Sequence, residues 1–146
     1  MRLALSTLGC PEWGLDQICS TGSDAGFDGV DFRGYRDTLD VTRHPLFSER
    51  AGDTRERLAE AGLTVSGLSS SIALADVDDR DAHLEEAKRL IDVADDFDVE
   101  RIRVFGGGFD ADAPQAELAE RAGETMREIL ALEGAADLDW LIETHD

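Results

Sequence analysis

Lysine, cysteine and long apolar runs are scarce in this chain of 146 residues. The two cysteines, Cys10 and Cys19, have no metal-ligand spacing, which excludes a disulfide framework and favours a reducing compartment. No run of ~18 apolar residues is present, so no membrane span is expected. The stretch MRLALSTLGC has too few apolar residues for a signal peptide, which needs ~7 to 15 of them. These absences predict a cytoplasmic protein that makes no contact with a membrane.

Basic residues are also few, and Lys88 is the only lysine. The chain has 33 acidic and 14 basic residues, which gives a formal net charge of -19. Such a surface repels phosphate backbones, so we do not expect nucleic acid as a partner. The acid excess with little lysine resembles proteins of salt-accumulating halophiles, where high ionic strength screens self-repulsion. An ordinary acidic enzyme is the alternative.

Four similar segments recur along the chain. Each has a small or acidic residue, an apolar residue, a spacer and then an apolar run of strand length. The segments are DAGFDGVDF, EAGLTVSGL, DFDVERIRVF and ADLDWLIE. Their apolar residues Phe27, Leu63, Phe97 and Leu138 recur at intervals that suit a βα unit, which takes ~30 or more residues. This period predicts repeated units of one helix followed by one strand.

Strand and helix patterns alternate strictly, which predicts an α/β fold with a parallel sheet. The predicted strands cover residues 2–6, 29–33, 63–69, 101–105 and 139–143. The predicted helices cover residues 14–25, 48–61, 79–98 and 114–133. In the third helix, the spacing predicts that Leu84, Ala87, Ile91 and Ala94 face the core.

Two architectures fit this alternation. An open sheet of five parallel strands suits the length of the chain, because an eight-stranded barrel takes ~250 residues. The segment STLGCPEWG after the first strand is neither GxGxxG nor a P-loop, so the nucleotide-binding signature of an open sheet is missing. The length of the chain favours the open sheet, whereas the missing motif does not support it. The residues at the strand ends must therefore distinguish the two architectures.

Polar residues lie where the predicted strands end, which is where a barrel carries its catalytic groups. The set consists of Thr7 to Trp13, Asp31 and Arg33, Ser69 to Ser71, Gly106 to Gly108, and Glu143 with His145. These residues are rich in hydroxyl and hydrogen-bonding groups. They suit a small polyol or sugar.

The strand-end segments together resemble the N-terminal part of the sugar phosphate isomerase/epimerase family, the xylose isomerase-like TIM barrels. The residues that carry the resemblance are LSTLGCPEW, AGFDGVDFRG, AGLTVSGLSSSI, RIRVFGG and LIETHD, in the family's order. The resemblance implies one domain over residues 1–146, a partial (β/α)8 barrel of about five strands that is expected to be truncated after the fifth. The open five-stranded sheet stays as the alternative.

The resemblance also implies roles for individual residues. Glu143 corresponds to the glutamate of strand five, which ligates a divalent metal and transfers a proton, chemistry that suits an enediolate mechanism. The metal of the full-length family is expected to be manganese, magnesium, cobalt or zinc. The expected substrate contacts are His145, Arg33, Trp13, Ser70 and Gly107. The alternatives are an exposed carboxylate at Glu143, a salt bridge at Arg33 and a simple turn at the glycines.

The family takes further metal ligands from strands six to eight, which this chain lacks. We therefore expect an incomplete metal site and little or no activity from this chain alone. The expected function is that of a sugar or sugar phosphate isomerase or epimerase, with an inosose or dehydroshikimate dehydratase as the second enzyme. A non-catalytic half-barrel that associates through its open fifth strand is the third possibility. A class II apurinic endonuclease is disfavoured, because Arg33 and the serines occupy the places of its zinc-binding histidines.

Overall fold

The structure is a computed structural model, and it describes residues 1–107 and 112–144. It contains one sheet of five parallel strands, whose order in space is the same as their order in the chain. The strands are β1 (Ala4–Ser6), β2 (Gly29–Phe32), β3 (Thr64–Ala73), β4 (Arg101–Phe105) and β5 (Asp139–Glu143). A doubly wound sheet reverses its strand order, whereas a barrel does not. The observed order is therefore that of a partial barrel, as predicted.

Within the described residues, one α-helix lies between each pair of successive strands. These helices are α1 (Leu15–Asp24), α2 (Ala51–Glu60), α3 (Arg80–Phe97) and α4 (Gln115–Leu130). Each begins and ends within a few residues of its predicted range, which confirms the alternation of strands and helices. In the described ranges, none of the helices is both long and apolar enough to cross a membrane.

Strand β3 is longer than predicted, because it runs on to Ala73 and not only to residue 69. Its pairing with β4 shifts in register between Ser69 and Ala73, so the strand continues through an irregular stretch that carries Ser70 and Ser71. The serine run therefore lies inside the strand and does not follow it. The polar composition of the run, which is typical of a loop, led to the shorter prediction.

The core lies between the sheet and the helices. Alternate side chains of the three central strands point to this side and are at most 1% exposed: Val30, Phe32, Leu68, Ile72, Ile102 and Val104. Burial of each of these side chains stabilises the fold by ~1.5 to 3 kcal/mol. The other side of the sheet is left for polar residues, because side chains alternate along a strand.

The apolar face of α3 differs from the predicted one. Its buried apolar residues are Ala87, Leu90, Val93, Ala94 and Phe97, whereas Leu84 and Ile91 are only partly buried. Phe97 packs against Phe47, with 5.6 Å between the ring centroids. This aromatic contact places Phe97 on the buried face of the helix, and the spacing of the smaller apolar residues did not predict it.

The loop between β2 and α2 is tied to α3 through Asp40. The carboxylate of Asp40 accepts hydrogen bonds from the Thr42 backbone N–H at 3.1 Å, from Arg43 Nε at 2.9 Å and from Arg89 Nη2 at 2.9 Å. Burial alone would raise the pKa of Asp40, but hydrogen bonds from Thr42, Arg89 and Arg43 together hold it below its ordinary value of 3.8. This network fixes the loop that follows Arg33.

Candidate functional site

The side of the sheet that faces away from the helices carries polar side chains on all five strands. Parallel register places Ser6 beside Asp31, Ser69 beside Arg103 and Phe105 beside Glu143. Paired residues of parallel strands point to the same side of the sheet. We call this surface the polar face, and it consists of Ser6, Asp31, Arg33, Ser69, Ser71, Arg103, Phe105 and Glu143. In a closed barrel this side of the sheet lines the interior.

Asp31 joins the first three strands on the polar face. Its two carboxylate oxygens accept hydrogen bonds from Ser6 Oγ at 3.2 Å and from Ser69 Oγ at 2.9 Å. Both donors are hydroxyl groups, so the negative charge of Asp31 has no cationic hydrogen-bond partner in the described part of the chain. Asp31 therefore orients two hydroxyls that can also contact a polyol.

Arg33 lies just beyond the end of β2. Its backbone N–H donates to Thr7 Oγ1 at 3.0 Å, and its Nη1 donates to Ser71 Oγ at 3.2 Å. The guanidinium carbon is 5.8 Å from the centroid of the Phe105 ring. Among the described residues, no carboxylate forms an ion pair with Arg33. The salt bridge that the sequence left open as an alternative is therefore not present in this part of the chain.

Arg103 is a residue of the polar face that the sequence analysis missed. Its Nε lies 3.0 Å from Glu143 Oε2, and its Nη1 donates to the Ser70 carbonyl at 2.9 Å. Its guanidinium carbon is 4.1 Å from the Phe105 centroid. Burial lowers the pKa of Arg103, Glu143 opposes this effect, and the positive charge of Arg33 lowers the pKa further. The available signal was the alternation of arginine and apolar residues in the sequence RIRVF.

Glu86 contacts β3 from the helix side of the sheet, and the sequence analysis did not identify it either. It belongs to α3, is 8% exposed, and accepts a hydrogen bond from the Ser71 backbone N–H at 2.8 Å. Burial raises the pKa of this carboxyl, and the hydrogen bond from Ser71 opposes the rise. The contact lies where the pairing of β3 and β4 is irregular. It therefore satisfies a backbone donor in the irregular stretch of β3.

Glu143 and Arg33 lie on the polar face, and their roles in metal and substrate binding stay predictions. The Glu143 side chain is 39% exposed at the end of β5. Ser70 is different, because it is 2% exposed and its hydroxyl donates to the Arg103 carbonyl at 2.7 Å. Alternation places Ser70 on the helix side with Leu68 and Ile72. Its neighbours Ser69 and Ser71 occupy the polar face, and the contact of Ser70 with substrate stays a prediction.

The remaining predicted site residues have mixed placements. Trp13 is partly buried and packs against the core cluster, so its contact with substrate stays a prediction. Gly107 has a φ of +74°, and a Cβ atom there would lie 3.1 Å from the Ala73 Cβ. This turn accounts for the glycine without a ligand. His145 and Gly108 lie outside the described residues.

The residues that the structure describes do not make a complete metal site. In the ranges 1–107 and 112–144, no group of three or more histidine, cysteine, aspartate or glutamate residues is arranged to hold a metal ion. Asp31 is engaged by two hydroxyls and Glu143 by Arg103. Magnesium and manganese prefer several oxygen ligands, which these residues alone do not supply.

Solved structures with the same fold cover nearly the whole chain. A probable 3-DHS dehydratase involved in petrobactin synthesis from Bacillus anthracis has 22% identity and a TM-score of 0.79, over 99% of this chain and 53% of its own. The IOLI protein with a bound zinc atom has 13% identity and a TM-score of 0.77, over 97% and 51%. A 3-keto-D-glucoside 4-epimerase from E. coli has 12% identity and a TM-score of 0.69, over 97% and 55%.

These likenesses establish the fold, and the chain spans about half the length of the structures that it matches. No curated protein matches the chain at a significant level. The family assignment comes from a separate match, in which residues 20–146 agree with the family model described as the xylose isomerase-like TIM barrel. This match covers most of the sequence, and the chain belongs to the xylose isomerase-like TIM barrel family.

Proposed function

We propose that this chain supplies the first five strands of a sugar or polyol isomerase or epimerase, with Glu143 as the group that moves the proton. The observation that carries this proposal is the position of Glu143 at the end of β5, on the polar face and beside Arg103. Its side chain is 39% exposed. The ends of barrel strands are where catalytic groups lie.

The polar face suits proton transfer next to a carbonyl group. A carboxylate can remove a proton from a carbon beside a carbonyl and return it to the same carbon or its neighbour. Arg103 holds one oxygen of Glu143 and orients the carboxylate. The hydroxyls of Ser6, Ser69 and Ser71 provide hydrogen bonds for a polyol chain on the same surface. These contacts support a hydroxylated substrate.

Glu143 is also proposed as one ligand of a divalent metal. The IOLI protein of the same fold is described with zinc, which fits a metal in the family. The other ligands would come from residues beyond those described here, since these form no complete site. We therefore expect this chain alone to have little or no activity.

The test uses exchange of substrate hydrogen with deuterated water. We would complete the barrel with strands six to eight from a family member and follow deuterium incorporation into a panel of ketoses and aldoses by NMR. Glu143→Gln should slow exchange by about 10²-fold or more, because a positioned acid/base group contributes this much. Glu133→Gln is the matched control, since Glu133 is an exposed residue outside the polar face. Exchange that survives in Glu143→Gln would refute the proposal.

A dehydratase is the second enzyme that the same geometry supports. Removal of a proton by Glu143 could be followed by loss of a hydroxyl from the next carbon, and the fold is shared with a probable 3-DHS dehydratase. The same completed barrel should be tested with inosose and dehydroshikimate. Mass spectrometry separates the reactions, because a dehydratase product has lost one water and an isomerase product has the mass of its substrate.

Association through β5 is the alternative to catalysis. Within the described residues β5 pairs only with β4, and its Leu141 and Ile142 side chains are 47% and 59% exposed. An unpaired edge with exposed apolar side chains favours association with another strand. Light scattering of this chain should then show a dimer that Ile142→Asp converts to a monomer, while Leu39→Asp, at a 57% exposed position away from β5, leaves it intact. A monomer at every concentration would argue against association.

A further inference from the structure

We propose that Glu86, on the helix side of the sheet, is a positioning residue for Glu143 on the polar face. Its carboxylate fixes the orientation of the peptide group between Ser70 and Ser71. That peptide group holds Arg103, which in turn contacts Glu143. This inference rests on the proposed function, because it concerns the carboxylate that is proposed to move the proton.

One peptide group joins the two sides of the sheet. Its N–H belongs to Ser71 and donates to Glu86 Oε1 at 2.8 Å. Its C=O belongs to Ser70 and accepts from Arg103 Nη1 at 2.9 Å. Because the N–H and C=O of a planar trans peptide point in opposite directions, this peptide group lies across the sheet. It has a carboxylate at its helix-side end and a guanidinium at its polar-face end.

The strand ladder does not hold this peptide group. In a regular parallel pair, backbone N–H and C=O groups point to the neighbouring strands, but the pairing of β3 with β4 shifts in register at this stretch. The next backbone N–H, of Ile72, donates to Ser70 Oγ at 3.2 Å. Side chains thus satisfy backbone donors of the irregular stretch, and Glu86 is the one that comes from another element.

Loss of the Glu86 acceptor should therefore turn the peptide group. A buried N–H without an acceptor is costly, so the peptide would rotate until its N–H finds another partner. The carbonyl rotates with it, because the peptide is planar, and it would leave Arg103. An anion at the N–H and a cation at the C=O also polarise the peptide in the same direction, which strengthens both hydrogen bonds.

Arg103 passes this restraint on to Glu143. Its Nε lies 3.0 Å from Glu143 Oε2, and its guanidinium carbon lies 4.1 Å from the centroid of the Phe105 ring. The Ser70 carbonyl holds Nη1 of the same guanidinium, and so limits its rotation in the plane above the ring. Without that carbonyl, Arg103 would keep its partners on the polar face but would no longer hold the Glu143 carboxylate in one orientation.

Two variants separate the reach of Glu86 from its charge. Glu86→Asp keeps the charge but withdraws the carboxylate by one methylene, whereas Glu86→Gln keeps an acceptor oxygen at the same reach without the charge. NMR of the nitrogen-15-labelled chain would follow the Ser71 amide and the Arg103 Nε–Hε group. In Glu86→Asp we expect both signals to shift together, and in Glu86→Gln the Arg103 signal should return to near its wild-type position. An unshifted Arg103 signal in Glu86→Asp, or an equal shift in both variants, overturns the proposal.

Leu90→Ala is the matched control for a merely structural effect. Leu90 lies one turn further along α3 and is 1% exposed, so its truncation leaves a cavity and should lower the midpoint of urea unfolding. The Arg103 signal should nevertheless stay in place. If Leu90→Ala shifts it as much as Glu86→Asp does, the proposed path is wrong.

A measurement on the wild type needs no variant to fold. The Ser71 amide should exchange its hydrogen slowly with deuterated water, because Glu86 accepts from it in a buried place. Exchange as fast as that of an unprotected amide would overturn the proposal.

The proposal can fail separately from the proposed function. In the completed barrel, Glu86→Asp should slow deuterium exchange into substrate by about tenfold to 10²-fold, mainly through kcat and not KM, because a misplaced catalytic group costs this much. Exchange that depends on Glu143 while the Arg103 signal ignores Glu86 would reject the positioning role alone. An Arg103 signal that depends on Glu86, with exchange unaffected in Glu143→Gln, would reject proton transfer by Glu143 and keep the peptide-mediated contact.

Discussion

Arg103 and Glu143 lie on adjacent strands and meet diagonally, with 3.0 Å between Nε and Oε2. Arg103 is directly paired with Leu141, and Glu143 with Phe105, so the guanidinium extends two residues along β5 to reach the carboxylate. The Arg103 side chain is 17% exposed, which shields the contact from much of the solvent. Arg103 thus joins the strand that precedes α4 to the strand that follows it.

Replacement of Arg103 by leucine should destabilise the fold. Arg103→Leu removes the donors to Glu143 and to the Ser70 carbonyl, and we expect a loss of about 1 to 3 kcal/mol in the free energy of unfolding. Urea denaturation measures this quantity. Arg101→Leu is the control on the same strand, and it should change the stability by no more than about 0.5 kcal/mol, because Arg101 is exposed. Equal losses in the two variants would contradict this account.

Glu86 should make stability depend on pH. Burial raises the pKa of Glu86 above its ordinary value of 4.5, so the folded state binds its proton more tightly than the unfolded state does. The contribution of Glu86 to the free energy of unfolding is therefore fully present below pH 4.5, and it is lost as the pH rises through the pKa of Glu86 in the folded state. Glu86→Gln removes the buried charge, so it should be more stable than the wild type at neutral pH and lose this advantage near pH 4.5. Denaturation at several pH values tests this.

The companion variant of Glu86 separates charge from hydrogen bonding. Glu86→Ala also removes the charge, but it leaves the Ser71 N–H without its acceptor, which should cost about 1 to 3 kcal/mol. We therefore expect Glu86→Ala to be less stable than Glu86→Gln at every pH. Equal stability of the two variants would show that the hydrogen bond to Ser71 contributes nothing.

Asp40 should have the opposite dependence on pH. The pKa of Asp40 in the folded state is below its ordinary value of 3.8. Its contribution to the free energy of unfolding is therefore present above pH 3.8, and it is lost as the pH falls through the pKa of the folded state. Asp40→Asn should cost about 1.5 to 3 kcal/mol at neutral pH, because it weakens charged hydrogen bonds to Arg43 and Arg89. The difference from the wild type should shrink in acid. Asp37→Asn, at an exposed position of the same loop, should behave as the wild type at every pH.

Gly107 and Gly106 form a matched pair for a test of the turn after β4. Gly107→Ala places a Cβ 3.1 to 3.2 Å from atoms of Ala73 and Ala75, at a φ of +74°, and should cost at least about 1 to 2 kcal/mol. Gly106→Ala meets nothing within 4 Å and should be nearly neutral. Thermal unfolding compares the two. A neutral Gly107→Ala would show that the turn can adjust.

Much of the fold could be predicted from the sequence because the βα pattern is regular. The five strands and four α-helices of the described residues were predicted by periodicity, including the end of β5 at Glu143, whereas the roles of the site residues stay predictions. The extension of β3 was missed because the Ser71 backbone N–H finds its acceptor in Glu86, a residue of a different element. Ser70 and Arg103 show the same limit, since which side of a strand a residue occupies becomes certain only when the pairing register is known.

The agreement of spatial order with chain order has a consequence for how the molecule forms during synthesis. Each strand from β2 to β5 pairs with the strand that precedes it in the chain, so its partner has already been synthesised when it emerges from the ribosome. Every unit that emerges can dock at once on the growing edge, and the apolar side of the sheet is covered step by step. The nascent chain can therefore assemble from β1 towards β5 at the pace of translation.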